Sequence, residues 1–187
     1  MGSEMCIRDR FRTPQGLGIG SEGKVYASDH WNDRVQVFDS QGRFLRKWGI
    51  RGSGDGEFSQ PQGLAIDGDG NVYVSEYGND RIQVFERDGT FLNEVVIAGR
   101  TLGFGSAFDV DFSPDAEQRY LYNIDGMNQK VWLLNRTTLE IVGSFGFGGH
   151  AAGGFTAAHS LAVDAGGNIY VGETLEGKRV QRFVRTP

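Results

Sequence analysis

The chain has 187 residues, a formal charge of −5, 29 Gly, only 4 Pro and 12% aromatic residues. The mild negative balance excludes the basic footprint that nucleic acid or an anionic membrane surface requires, and no apolar run is long enough to cross a bilayer. Dense glycine beside scarce proline predicts a fold built from tight turns.

Residues 1–10 are set apart from the folded unit. Met5-Cys6-Ile7-Arg8-Asp9-Arg10 resembles the translated frame of a transposase sequencing adaptor and is read as an artefact, the alternative being a short polar leader. On this reading the true N-terminus is missing, and the lack of a signal peptide is uninformative. Cys6 is the only cysteine, so the remainder offers neither a disulfide nor a thiol site.

From Phe11 onward the chain repeats. Pro14-Gln15-Gly16-Leu17 recurs as Pro61-Gln62-Gly63-Leu64, and Asn32-Asp33-Arg34-Val35-Gln36-Val37-Phe38 recurs as Asn79-Asp80-Arg81-Ile82-Gln83-Val84-Phe85, both 47 residues further on. Looser copies cover 110–145 and 161–184. In the second unit the expected strands are 64–66, 72–75, 82–85 and 91–97, separated by Asp67-Gly68-Asp69-Gly70-Asn71, Gly78-Asn79-Asp80 and Arg87-Asp88-Gly89. Val72-Tyr73-Val74 is apolar at consecutive positions, which calls for burial on both faces, and no helical period intervenes. A period in the forties with four short strands predicts an all-β fold, a β-propeller. Its blades cover 14–57, 58–105, 106–155 and 156–187, the last with only three strands. An arc of this kind is expected to stay open, with apolar blade faces exposed at both ends.

Pro-x-Gly-Leu-Ala-Ile-Asp, Gly-Asn-Val-Tyr-Val-Ser-Glu, Asn-Asp-Arg-Ile-Gln-Val-Phe and Asp-Gly-x-Phe-Leu together resemble the NHL repeat. The match is strong in blades 1, 2 and 4. It is weaker in blade 3, where Ala107-Phe108-Asp109-Val110-Asp111-Phe112-Ser113-Pro114-Asp115 replaces the Pro-Gln-Gly opening. The stretch from His159 to Phe183 is similar to bacterial proteins resembling peptidyl-α-hydroxyglycine α-amidating lyase. The resemblance implies a six-bladed propeller of which about two blades are not seen here, and an extracytoplasmic setting.

Repetition separates scaffold from chemistry. A carboxylate ends the second strand of each blade (Asp29, Glu76, Asp125, Glu173), and a cation follows five or six residues later (Arg34, Arg81, Lys130, Arg179). Four copies mark blade scaffolding, read as surface-type pairs across a hairpin contributing about 0.2–1 kcal/mol each. Asp67-Gly68-Asp69-Gly70-Asn71 is read as a hairpin turn rather than a calcium loop, because Gly78 stands where an EF-hand needs its twelfth-position Glu. The Gly-rich runs 49–56 and 146–149 join blades; no Lys-Ser/Thr pair follows them.

The non-repeating residues carry the functional reading. Loops between second and third strands share a face with the links between blades. That face should hold His30, Trp31, Gln15 and Gln62, then Tyr77, Phe108 and Met127, and finally His159, Thr174 and Glu176, with His150 in a link. His159 stands at the blade-opening position, at the mouth of the central channel. The lyase resemblance implies a zinc ligand at that position in three blades: His159 matches, whereas Gln15, Gln62 and Phe108 do not. The expected function is a binding scaffold for a protein or a small extended ligand on the loop face, with no cofactor evident and no nucleic acid. The alternative is a zinc-dependent lyase with His159 as a ligand and Tyr77 as acid or base, its other ligands lying outside this sequence. RNA binding is disfavoured because residues 58–105 carry three Arg against seven Asp and Glu.

Overall fold

The computed structural model describes residues 11–185, so the adaptor-like stretch with Cys6 lies outside it. Blade 1 is the antiparallel sheet of β1 (Pro14–Ile19), β2 (Val25–Asp29), β3 (Arg34–Phe38) and β4 (Phe44–Trp48). Blade 2 repeats it with β5 (Pro61–Ile66), β6 (Val72–Glu76), β7 (Arg81–Phe85) and β8 (Phe91–Val96). Blade 3 has β9 (Asp109–Phe112), β10 (Tyr120–Asp125), β11 (Lys130–Asn135) and β12 (Ile141–Phe145). A short parallel pair, β13 (Phe147–Gly148) and β14 (Gly154–Phe155), leads to the three strands of blade 4: β15 (Ala158–Val163), β16 (Ile169–Glu173) and β17 (Val180–Phe183). Among the described residues the only helical pieces are the single 3₁₀ turns His30–Asn32 and Tyr77–Asn79. Each ends on an aspartate in the left-handed region, Asp33 at φ 48° and Asp80 at φ 56°, which a short polar side chain tolerates. This conformation accounts for the repeated Asn-Asp-Arg.

The first strands start earlier than their apolar residues suggested. In blade 2, Pro61 pairs with Glu76 and the register then slips before Leu64 pairs with Val74. The bulge absorbs Gln62 and Gly63, and a proline at the first strand position loses no ladder bond. The repeated glycine has a packing reason. A Cβ on Gly16 would sit 2.5 Å from the Gln62 carbonyl oxygen, so only glycine lets β1 lie this close to β5.

Both faces of each inner blade are buried, as the apolar runs require. Val72 and Val74 face blade 1, packing with Tyr26, Val35 and Val37. Tyr73, Ile82 and Val84 face blade 3 and meet Val110, Phe112 and Leu121. A third cluster joins Tyr122, Ile124 and Val131 to Leu161, Ile169 and Val171. Four blades thus share three inter-blade cores among the described residues. The two outward faces carry copies of the same surfaces. Leu17 is 69% exposed where its equivalent Leu64 is 5%, and Val180 is 70% exposed where its equivalent Val35 is 0%.

The scaffold carboxylates are buried hubs, not surface pairs. Glu76 accepts from Asn79 Nδ2 (2.9 Å), Arg81 Nε, Gln83 Nε2 (2.9 Å) and the incoming Ser59 N–H (2.7 Å). Asp29 repeats the set with Asn32 Nδ2, Arg34 Nε, Gln36 Nε2 and the Arg12 N–H at 2.6–2.9 Å. The spacing Asn-x-Arg-x-Gln therefore exists to surround one carboxylate, while the link N–H ties each blade to the chain that precedes it. Burial outweighs these donors at Glu76 and raises its pKa; at Glu173, burial is outweighed by the Thr156 N–H and Arg179, which hold the carboxyl at about 2. Blade 3 departs from the expected ion pair. Asp125 accepts from Trp132 Nε1 at 2.9 Å and Asn128 Nδ2 at 2.8 Å, while the Lys130 ammonium lies over the Trp132 ring, 5.3 Å from its centre. Trp132 fills the place of the repeated glutamine and takes the carboxylate first.

The Asp67 loop is a hairpin turn, as expected. Asp67 accepts the Asn71 N–H at 2.8 Å, and its other oxygen accepts from Arg136 of blade 3 at 2.7 Å, a partly buried cross-blade pair.

Candidate functional site

The inner strands β1, β5, β9 and β15 line one shared channel with a cavity of about 470 Å³. Gln15, Gln62, Phe108 and His159, the residues at the blade-opening position, line it together. Gln62 Nε2 lies 3.2 Å from His159 Nε2, which joins blade 2 to blade 4 across the channel. The His159 ring meets the edge of Phe108 at 5.8 Å, and Phe108 packs on Tyr77 at 5.0 Å. The Tyr77 hydroxyl in turn donates to His30 Nε2 at 3.1 Å, and His30 packs edge-on against Trp31 at 5.0 Å. A continuous row from Gln62 to Trp31 therefore crosses the channel once and then three junctions between adjacent blades.

His30 is buried and its role is fixed. Its Nδ1 lies 3.3 Å from the Pro61 carbonyl, so that nitrogen carries the proton and Nε2 accepts from Tyr77. Burial lowers the pKa of both His30 and His159, and both are held as neutral rings. Burial likewise raises the Tyr77 hydroxyl. Phe108 is 7% exposed and belongs to the core between blades 3 and 4, with Tyr77 packed against it. Tyr77 therefore supports that core instead of standing free at the mouth, because its ring bridges the blades before its hydroxyl reaches His30.

The other sequence-selected residues lie apart. Met127 is 39% exposed and lines a separate dent with Arg100 and Leu102. Thr174 and Glu176 are exposed in the β16–β17 turn. His150 is exposed, and its carbonyl accepts from Arg179 at 2.6 Å.

Two residues that sequence reasoning passed over line the channel: Asp109 and Asp111 of β9. Asp109 accepts the Val110 and Leu161 N–H groups at 3.0 Å, and Asp111 accepts those of Phe112 and Val163 at 2.8 Å. Burial raises the pKa of both, that of Asp109 to about 6 against the pull of those N–H groups. The signal was present: their equivalents are Gly16 and Gly18, Gly63 and Ala65, and Ser160 and Ala162, so blade 3 alone places acids there.

Among the described residues His159 stands without a second zinc ligand. His159 faces an amide nitrogen and the edge of a phenylalanine, and no group of three or more His, Cys, Asp or Glu suited to a metal occurs among the described residues. Among the described residues no helix is long and apolar enough to cross a membrane.

Hydrazine synthase of Kuenenia stuttgartiensis is similar in structure, with TM-score 0.70 and 12% identity over 97% of this chain and 49% of that one. Virginiamycin B lyase from Staphylococcus aureus gives 0.65 and 15%, over 93% and 56%. A protein of unknown function from Bacteroides caccae gives 0.59 and 14%, over 91% and 60%. At these identities the likeness establishes the propeller fold alone, and the chain spans about half to three fifths of each structure. No curated protein matches the sequence significantly. The model of the 6-bladed β-propeller family DUF5128 matches residues 19–148, more than half of the sequence, and the chain belongs to that family.

Proposed function

We propose that this propeller is a binding module whose ligand, a small extended molecule or a segment of a protein, enters at the channel mouth beside His159, Gln62 and Phe108. One observation supports the reading: His159 and Phe108, each found at the blade-opening position of a single blade, converge with the repeated glutamine Gln62 on a 470 Å³ cavity. Binding residues on a fixed scaffold are how a propeller acquires function without changing its fold. The resemblance to NHL repeats accords with this role, and the repeated motif itself serves blade construction. A lyase role draws on the resemblance of residues 159–183, yet the surroundings of His159 do not supply zinc's ligands.

The test is a ligand screen on the full chain by protein NMR, using a library of short peptides and small extended molecules. Ligands that shift channel resonances should be lost in His159→Ala and retained in Met127→Ala. Hits that are lost in Met127→Ala and kept in His159→Ala would overturn the channel-mouth reading.

A further inference from the structure

We infer, building on the channel-mouth reading, that the channel takes an organic cation, a primary ammonium group held by Gln62, Asp109 and Asp111. Gln62 is 4% exposed, and its Oε1 has no hydrogen-bond partner while its Nε2 is engaged with His159. A buried amide oxygen left unpaired costs on the order of 1–3 kcal/mol; it is closed off as it stands, and a turn of the Gln62 side chain, which lines the cavity, would bring it to a donor in the channel. The two acids supply the matching charge. They stand two residues apart on β9, hence on one face of the strand, and both line the same cavity as Gln62. Asp109 also lies against the neighbour of Gln62: a Cβ on Gly63 would be 2.2 Å from its Oδ1.

Each carboxylate accepts two backbone N–H groups, which leaves part of its capacity of about four acceptor sites unused. Among the described residues neither Lys nor Arg lines the cavity to neutralise them. Burial opposes both charges, so an entering cation stabilises the ionised form that the protein alone disfavours. A metal ion is the poorer occupant. It needs a dense ligand shell, and these residues do not form one. An ammonium carries three separate donors and is satisfied by spaced acceptors of this kind.

The experiment uses the full chain and three probes of one length, n-butylammonium, n-butanol and butyrate, titrated by NMR. Butylammonium should shift channel resonances and bind at least about tenfold more tightly than the other two. Its affinity should fall about tenfold in Asp111→Asn and in Gln62→Leu, each first shown to keep the wild-type NMR fingerprint. Equal binding of butanol and butylammonium overturns the inference without needing any variant. So does wild-type affinity in both folded variants, or tighter binding of Mg²⁺ or Ca²⁺ at the same resonances. If screened neutral or anionic ligands bind and are lost in His159→Ala while butylammonium does not bind, the cation inference falls and the channel-mouth reading stands. If nothing binds in the channel, both fall.

Discussion

The Tyr77 hydroxyl of blade 2 donates to His30 Nε2 of blade 1 at 3.1 Å, and the opposite nitrogen of that imidazole is spent on the Pro61 carbonyl. One ring thereby holds two blade turns in register. Tyr77→Phe keeps the packing on Phe108 but leaves a buried acceptor unpaired, so it should destabilise by about 1–2 kcal/mol in urea unfolding. A change within error would mean water replaces the hydroxyl. Tyr77→Ala should cost more, since the ring packs against the core between blades 3 and 4.

Glu76→Gln is expected to cost about 3 kcal/mol, well beyond a surface pair, because Glu76 is fully buried and Arg81 would lose its main counter-charge. Arg81 keeps Glu94 at 2.7 Å, which limits the loss. Asp125→Asn, where no arginine depends on the carboxylate, should cost less. Chemical denaturation of the pair decides, and equal losses would show that the N–H and amide donors dominate.

Stability should depend on pH with two opposing limbs. Asp109 is raised to about 6 by burial, so its contribution is full below the unfolded value near 4 and is lost as pH rises through 6. His30 and His159 are lowered by burial, so theirs is present above about pH 6.5 and is lost as pH falls through their folded values. Unfolding midpoints followed across pH should flatten between about 4 and 6 in Asp109→Asn. An unchanged profile in that variant would place the titration elsewhere.

Leu17 and Val180 occupy positions that are buried in the neighbouring blades, yet are 69% and 70% exposed. Each outward face copies one half of an inter-blade core, which makes the two complementary to each other. The chain should therefore self-associate with rising concentration in light scattering, and Leu17→Glu or Val180→Glu should weaken that association. A monodisperse monomer at high concentration would contradict the expectation.

Much of the architecture was legible because it is local. The second and third strands of each blade are joined by a turn of four residues, or six in blade 4, and Asn79, Arg81 and Gln83 reach Glu76 from within seven residues. Alternating side chains of β6 fix which neighbour each will meet, so two-sided burial followed from Val72-Tyr73-Val74 alone. Depth was misjudged: the same motif that predicted a pairing gave no sign that neighbouring blades would bury it. Trp132 at the glutamine position was visible too, but its indole N–H displacing Lys130 from Asp125 is a matter of reach and packing.

The sequence by itself determined the repeat, the blade as its unit, the turn chemistry and the set of residues that break the pattern. Tertiary structure decided which of those residues meet. Gln62 and His159 are 97 positions apart, Asp109 and Leu161 52, Asp67 and Arg136 69. Their contacts depend on how each sheet twists and settles on the next, which is set by side-chain volumes at three separate cores and the close approach that Gly16 permits. A hairpin can be read from neighbours in sequence; the rotation between blades is the sum of many packing contacts, and no short motif encodes it.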